Sequence, residues 1–358
     1  MKKLQIHVPV YNEEKNLPKF IDSALAQTFR DVEYIFHDNH STDRTLELIQ
    51  NYSKYYPNCF YRTYPRNTGM IDQYFRVKYF ARDSEFVGMR SANDLMSDTY
   101  LECVMELLET DPMIGVAYSH GKSFNTGDEA LSYMSGAKID TRGKNKLESA
   151  LDVISKYTEP FSFWGVFRSQ IYSKLQPYRY CHGGDHIFIC EAALYGEIAS
   201  TDEALDVRIV QPSQVGYGGI QKNSQHQKEE HSRGVSAESL FYGLKHLQPF
   251  SDMTFGHVEM ISMALVSEVE KYQLCEIAVS TLKQRFKTHI DYENQVLLNF
   301  LNHSINHIEK LNSIPQSVLH LWKSKAHKEI EKISLVGDVP FEVLASYGDR
   351  LNKLKNVR

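Results

Sequence analysis

Long apolar runs are missing from this sequence. A membrane-spanning helix needs roughly 18–20 consecutive apolar residues, and the longest apolar piece, 260–266, stops far short of that and sits in a helical pattern. Cysteine is scarce as well. The five present (Cys59, Cys103, Cys181, Cys190 and Cys275) are odd in number and scattered without paired spacing. That excludes a disulfide framework and reads as reduced thiols in a cytoplasmic protein. A basic excess is absent too. The 45 acidic residues outnumber 40 basic ones, for a net charge of −5, so nucleic acid is not an expected partner. There is no internal repeat and no low-complexity tract. With 42% hydrophobic and 24% charged residues over 358 positions, the chain has a folded protein's balance and exceeds one ordinary domain. Met1-Lys2-Lys3 could open a secretory leader, but Gln5, His7 and Pro9 break the apolar run at once. The expected location is the cytoplasm, or at most the inner face of a membrane.

What is present is an alternation of strand and helix patterns. Leu4, Ile6, Val8 and Val10 alternate with polar residues, as in a half-buried strand. Leu17, Phe20, Ile21, Ala24 and Leu25 follow at helical spacing. Strands are expected at 32–36, 60–64, 86–91 and 114–119, with helices marked by Leu46, Ile49 and Tyr52, by Ile71, Tyr74, Phe75 and Tyr79, and by Leu101, Val104, Met105 and Leu108. Ser41 or Thr42 would cap the second helix, with Asp43 in its first turn, and Ser97 would cap the fourth. Such repeated βα units imply an α/β fold, with a mostly parallel sheet covered by helices. Beyond it, Leu147, Leu151 and Ile154 suggest a helix, 163–167 a short strand and 185–195 a helix, with strands near Ile198 and at 205–210. A polar, glycine-bearing stretch follows, and then Val258, Ile261, Leu265 and Val269 form one apolar face, with a further helix at Val296, Leu297, Phe300 and Leu301. The expected organisation is an α/β domain over 1–212, a polar loop or linker over 213–235 and an α-helical region over 236–358.

Open α/β sheets bind ligands at the carboxyl ends of their strands. Three such ends carry polar clusters: Pro9-Val10-Tyr11-Asn12-Glu13, Asp38-Asn39-His40-Ser41-Thr42-Asp43, and Ser91-Ala92-Asn93-Asp94. These segments, with Asn67-Thr68-Gly69 after the third strand and Tyr100-Leu101-Glu102 after Asn93-Asp94-Leu95, resemble in order the motifs of the family 2 glycosyltransferases with the GT-A (Rossmann-like) fold. The resemblance covers roughly the first three-fifths of the chain, with motif boundaries good to about ±2–4 residues. It implies an enzyme, a hexosyltransferase-type glycosyltransferase acting in polysaccharide or other glycan assembly. Such an enzyme moves a sugar, with inversion, from a nucleoside-diphosphate donor (a UDP-sugar by family frequency) to a glycan or lipid-linked hydroxyl.

By the same resemblance, Asp38 would accept a hydrogen bond from the base, a task suited to an acceptor-only carboxylate. Pro9, Tyr11, Asn12, Glu13, Asn67 and Asn93 would line the donor pocket. Asp94 would hold a divalent cation, Mg²⁺ or Mn²⁺, on the diphosphate, since hard oxygen ligands suit either ion. The chain departs from the family here. Two or three acidic positions are usual, whereas Ala92-Asn93-Asp94 has one carboxylate, so metal affinity should fall or a cation such as Arg90 must share the work.

Downstream, Phe163-Trp164-Gly165-Val166-Phe167-Arg168 and Gly183-Gly184-Asp185-His186 resemble the family's acceptor half. Asp185 is there the expected catalytic base, or else merely a helix cap; His186 and Glu191 are alternative bases. Trp164 offers a stacking face for an acceptor sugar or a piece of core, and His186 is a second acceptor-side candidate. The family's later R-x-x-H-P element has no histidine here, since Arg208 is followed by Gln211-Pro212. Cys181, His182, Asp185, His186 and Cys190 fit no zinc spacing, and Glu229, Glu230, His226 and His231 read as a solvated loop. The C-terminal helices could pack for stability, complete the acceptor cleft, form homo-oligomers or touch a membrane. Two rivals remain. A sugar nucleotidyltransferase would need a glycine-rich basic loop after the first strand, which is absent. The other is a catalytically inactive GT-A-fold glycan-binding or scaffold protein, motivated by Asn93.

Overall fold

In the computed structural model, residues 3–80, 84–125, 133–134, 137–178, 181–210 and 249–295 are described. The polar stretch 213–235 and the helix expected around Val296 to Leu301 lie outside them. The chain divides into two compact units, Met1–Lys287 and Thr288–Arg358, and everything below concerns the first.

Its N-terminal half realises the expected alternation: β1 (Leu4–Val10), α1 (Leu17–Leu25), β2 (Val32–Asp38), α2 (Thr45–Tyr55), β3 (Cys59–Thr63), α3 (Met70–Phe80), β4 (Phe86–Met89), β5 (Leu95–Met96) and α4 (Tyr100–Thr110). Then come β6 (Ile114–Asn125), β7 (Tyr133–Met134), α5 (Lys146–Lys156), β8 (Val166–Arg168), α6 (Ser169–Tyr172), α7 (Gly184–Ala192) and β9 (Glu197–Val210). Two helices, here α8 (Pro249–Met263) and α9 (Glu268–Arg285), complete the described elements.

The strands form one sheet in the order β3-β2-β1-β4-β8-β6-β9-β5, with β7 paired to β6. It is parallel across β3, β2, β1 and β4. Beyond β4 it is mixed, because β8 runs antiparallel to both β4 and β6. Leu4, Ile6, Val8 and Val10 of β1 share a buried cluster with Phe20 and Ile21 of α1 and Leu101, Val104 and Leu108 of α4. The other face of β1 carries Gln5 and His7. Pro9 cannot donate to a ladder, yet it sits in β1, between β2 and β4. It is tolerated because β1 pairs with β4 only through His7↔Met89, so β4 has turned away before Pro9 is reached.

Three expectations are corrected. First, α2 and α4 take no side-chain cap: their N-cap residues are Arg44 and Thr99. Ser41 and Thr42 are used elsewhere, Asp43 lies just before α2 with its Oδ1 accepting from the Thr45 N–H at 3.0 Å, and Ser97 offers only its backbone carbonyl to Tyr100. Second, strands near 198 and 205–210 are one strand, β9, which follows β6 through register shifts. Third, Val258, Ile261, Leu265 and Val269 do not share one helix. The chain breaks between α8 and α9, where Ser267 and Glu270 form a reciprocal cap, and Leu265 and Val269 are exposed. Ser267-x-x-Glu270 is a capping box, and its local hydrogen bonds outrank the apolar spacing that runs across it. Among the described residues no helix is long and apolar enough to cross a membrane.

Candidate active site

The loops after β1 and β2 are joined by side chain to backbone bonds. The Asn12 amide N–H donates to Ser41 Oγ at 3.0 Å, and Asn12 Oδ1 accepts from the Thr42 N–H at 2.8 Å. The Glu13 N–H donates to Thr45 Oγ1 at 2.7 Å and the Glu14 N–H to Asp43 Oδ2 at 3.2 Å. The two hydroxyls therefore satisfy a neighbouring loop, whereas the Asp43 carboxylate serves both, its Oδ1 accepting from the Thr45 N–H at the start of α2 at 3.0 Å. Asn12 takes a left-handed backbone (φ 56°), which asparagine tolerates better than most residues. Asp38, at the end of β2, is buried, with the Ser41 N–H directed at its carboxylate from 3.3 Å.

Asn39 reaches across to the loop before α3. Its Nδ2 donates to Asn67 Oδ1 at 2.9 Å and to the Gly69 carbonyl at 3.2 Å, while its Oδ1 accepts from the Thr68 N–H at 3.2 Å. Asn67 Oδ1 also accepts from the Gly69 N–H. Gly69 has φ +88°, so the turn requires a residue without Cβ.

The third loop is tied to the first. Asn16 Nδ2 donates to Glu13 Oε2 at 2.9 Å and to Asn93 Oδ1 at 2.6 Å. Burial raises the pKa of Glu13, against hydrogen bonds from Asn16 and Asn93 that lower it. Asn93 and Asp94 form a tight turn on Ser91, whose carbonyl accepts from the Asp94 N–H. Asp94 is buried.

Arg90, between β4 and this turn, feels the charge of Asp94 but spends its hydrogen bonds elsewhere. It makes two bonds to Asp206 of β9, Nη1 to Oδ2 at 2.8 Å and Nη2 to Oδ1 at 2.7 Å. Burial disfavours its charge, but Asp206 more than compensates, and its pKa lies above the ordinary arginine value. Arg90 is thus a structural cation. Its Nη1 also donates to the Trp164 carbonyl at 3.2 Å, which fixes the start of β8 beside the turn of Asn93 and Asp94.

Trp164 is half-buried and stands edge-on to Phe163 (4.8 Å) and Tyr74 (6.0 Å). Tyr74 in turn meets Tyr178 at 5.1 Å. Behind this aromatic wall runs α7. It begins at Gly183, whose φ of +69° and close approach to Met253 Sδ of α8 both exclude a side chain. Eight of its nine residues are buried; Asp185 alone is not. An all-round apolar helix belongs in the interior, so Asp185 marks the one point where α7 opens outward. Its Oδ2 accepts from the Tyr157 hydroxyl at 3.0 Å. Nearby, Arg208 of β9 pairs with Glu159, and burial, with Asp185 adding to it, raises the pKa of Glu159 against the pull of Arg208.

The two alternative bases are turned inward. His186 is buried with Nε2 on the Val153 carbonyl at 3.1 Å and its ring 4.7 Å from that of His257; burial first, then His257 and Arg285, holds its pKa well below the ordinary value. Glu191 is buried and accepts from the Gln176 N–H. Among the described residues no three His, Cys, Asp or Glu side chains converge as a metal cage.

Residues 5–172 match the glycosyl transferase family 2 model. Over these residues the chain is a member of glycosyl transferase family 2. An uncharacterized glycosyltransferase of Nostoc sp. is 24% identical over 57% of this chain and 63% of its own length. The GalNAc(5)-diNAcBac-PP-undecaprenol beta-1,3-glucosyltransferase of Campylobacter jejuni is 31% identical over 30% of this chain and 40% of its own. The chain thus spans less than two thirds of these curated relatives. Among solved structures, S. aureus TarS 1-349 in complex with UDP-GlcNAc aligns over 92% of this chain and 90% of that one, with 16% identity and a TM-score of 0.56. That likeness establishes the GT-A glycosyltransferase fold.

Within the family 2 domain, Glu13 and Asn93 meet through Asn16, Asn12 is bound to Ser41 and Thr42, and Asn67 meets the end of β2 through Asn39. Pro9 is half-buried and Tyr11 exposed beside them. Asp206, Asn16, Asn39 and Tyr157 were not legible as site residues. Asn39 lies inside a motif, but Asp206 is 116 positions from Arg90, and no local pattern signals such a pair.

Proposed function

We propose that this chain is an inverting glycosyltransferase that uses a nucleoside-diphospho-sugar, with a UDP-sugar preferred, and a glycan or lipid-linked hydroxyl as acceptor. The observation that carries the reading is Asp185: the one outward-facing residue of an otherwise buried helix, behind an aromatic wall that Arg90 ties to the Asn93–Asp94 turn. Asp185 takes the proton from the acceptor hydroxyl as its oxygen attacks the anomeric carbon on the face opposite the diphosphate. The bond to the diphosphate breaks as the new glycosidic bond forms, and the proton remains on the Asp185 carboxyl. Asp38 accepts from the base, and Trp164 offers an aromatic face to the acceptor sugar.

Asp94 suits Mg²⁺ or Mn²⁺, since such ions take one or two carboxylates and complete their shell with substrate phosphates and water. When bound, the cation neutralises the departing diphosphate. Asn93 adds no charge and its amide oxygen already accepts from Asn16. That favours weaker metal binding than a full acidic motif gives. It is also the observation behind the second reading, a domain that binds the donor without transfer. Asp185→Asn should keep UDP affinity and lose transfer by about 10²–10⁴-fold, the usual worth of a positioned base. Near-normal transfer in that variant refutes the assignment.

A further inference from the structure

Asp185 is held by a chain of contacts that begins in the C-terminal helices. Tyr157, the residue that ends α5, is buried and donates to Asp185 Oδ2 at 3.0 Å. The last carbonyls of a helix have no partner within it. At the end of α5 two of them are served by one side chain from α9: Arg285 Nη1 donates to the Ile154 carbonyl at 2.7 Å and Nη2 to the Tyr157 carbonyl at 2.5 Å. At the other end of α5, Lys146 pairs with Glu270 of α9 at 3.5 Å. So α9 clasps α5 at both ends, and the clasp at the carboxyl end fixes the backbone of the residue whose hydroxyl meets the base.

We propose that Tyr157 is a positioning residue for the Asp185 carboxylate and that α9, through Arg285, sets its place. The inference rests on the reading of Asp185 as the base, and it gives the C-terminal helices a part in the reaction. This hydrogen bond fixes which oxygen of the carboxylate is engaged. Oδ2 meets Tyr157, which leaves Oδ1 to be presented to a substrate hydroxyl. Burial first, then the adjacent Asp185, raises the Tyr157 pKa well above the ordinary tyrosine value, so the hydroxyl stays a donor throughout the working range. The other ionisable groups around Asp185 are Tyr178 before α7, Glu159 with its partner Arg208, and His182 and His186 on its own segment, the last backed by His257 of α8.

The test uses the full chain with Tyr157→Phe, Arg285→Ala and Arg285→Lys beside Asp185→Asn. Hydrolysis of the UDP-sugar turned over fastest by the unaltered chain is followed with Mn²⁺ as kcat and KM, UDP affinity is measured by calorimetry, and amide exchange is read over 184–188. Tyr157→Phe should lower kcat about tenfold with KM and UDP affinity unchanged, the size expected when one hydrogen bond to a charged group is lost. Arg285→Ala should lower kcat in the same way and speed exchange over 184–188, and Arg285→Lys should restore part of both. An unchanged kcat in Tyr157→Phe, or unchanged exchange over 184–188 in Arg285→Ala, overturns the inference. If those results come with an inactive Asp185→Asn, the positioning role fails alone. If Asp185→Asn hydrolyses the donor normally, the base assignment itself fails and this inference falls with it.

Discussion

Removing Asp206 should be among the most damaging single changes to this domain. Arg90 and Asp206 are 1% and 2% exposed and joined by two parallel bonds of 2.7 and 2.8 Å. Asp206→Ala leaves a guanidinium in the interior with the Trp164 carbonyl, the face of Tyr100, 4.9 Å from its carbon, and the more distant charge of Asp94. Breaking such a pair from one side costs about 3–5 kcal/mol, because the stranded charge has no water to return to. At about 2.1 cal/mol/K of unfolding entropy per residue, each kcal/mol is worth about 1.3 °C in a chain of 358 residues, so the melting temperature should fall by roughly 4–7 °C. Arg90→Met should be of similar severity, since it strands the carboxylate instead. The double variant Arg90→Met/Asp206→Leu should recover most of the loss, because a buried ion pair replaced by apolar groups of like volume is often neutral. Scanning calorimetry of the four proteins completes a double-mutant cycle. A fall under about 1 kcal/mol for Asp206→Ala, or additive single losses, refutes the reasoning. Because Arg90 leads into the Asn93–Asp94 turn and holds Trp164, the single variants should also weaken UDP binding.

Three further outcomes are expected. Asp38→Ala should weaken UDP binding by about 1.5–3 kcal/mol, the worth of a hydrogen bond to a charged group; unchanged affinity by calorimetry would remove Asp38 from the pocket. Asp94→Ala should abolish stimulation of turnover by Mn²⁺ and Asn93→Asp should tighten Mn²⁺ affinity, whereas transfer indifferent to EDTA would show that no metal is needed. The third outcome concerns His7 and His37, which share a ring-nitrogen bond of 2.9 Å under Phe80, with Tyr64 on the far side of His37. Burial first, then neighbouring cations, pushes His37 from 6.5 down to about 3 and His7 well below its usual value. The unfolded chain therefore binds more protons below pH 6.5, so stability is full above that pH and is lost as pH falls toward 3. His7→Phe should flatten this acid slope in melting temperature between pH 7 and 4.5, scanned in steps of about half a unit; an identical slope would exclude the pair as its source.

The sequence alone determined the parallel half of the sheet and the loops that carry the donor motifs. Strand and helix periodicity are local, and the residues at strand ends stand in short motifs, so both are written in consecutive positions. It misled where one local signal competed with another: Ser41 and Thr42 look like a cap for α2, yet Ser41 Oγ accepts from the Asn12 N–H and Thr42 donates its N–H to Asn12 Oδ1, in the β1–α1 loop some thirty positions earlier. The apolar face from Val258 to Val269 ran through a capping box that ends it. What only the tertiary structure decided is which partner each charged side chain finds and how deeply it is buried. Arg90, Asp206, His186, Glu191 and Asp185 are all polar residues in apolar surroundings, and their composition does not distinguish them. A buried polar group must find a partner. Those partners, Asp206 for Arg90, Val153 for His186, Gln176 for Glu191, are brought in by chain crossings that no spacing encodes. Asp185 was singled out by its motif, and the packing of α7 added that it is the one residue of that helix left unburied.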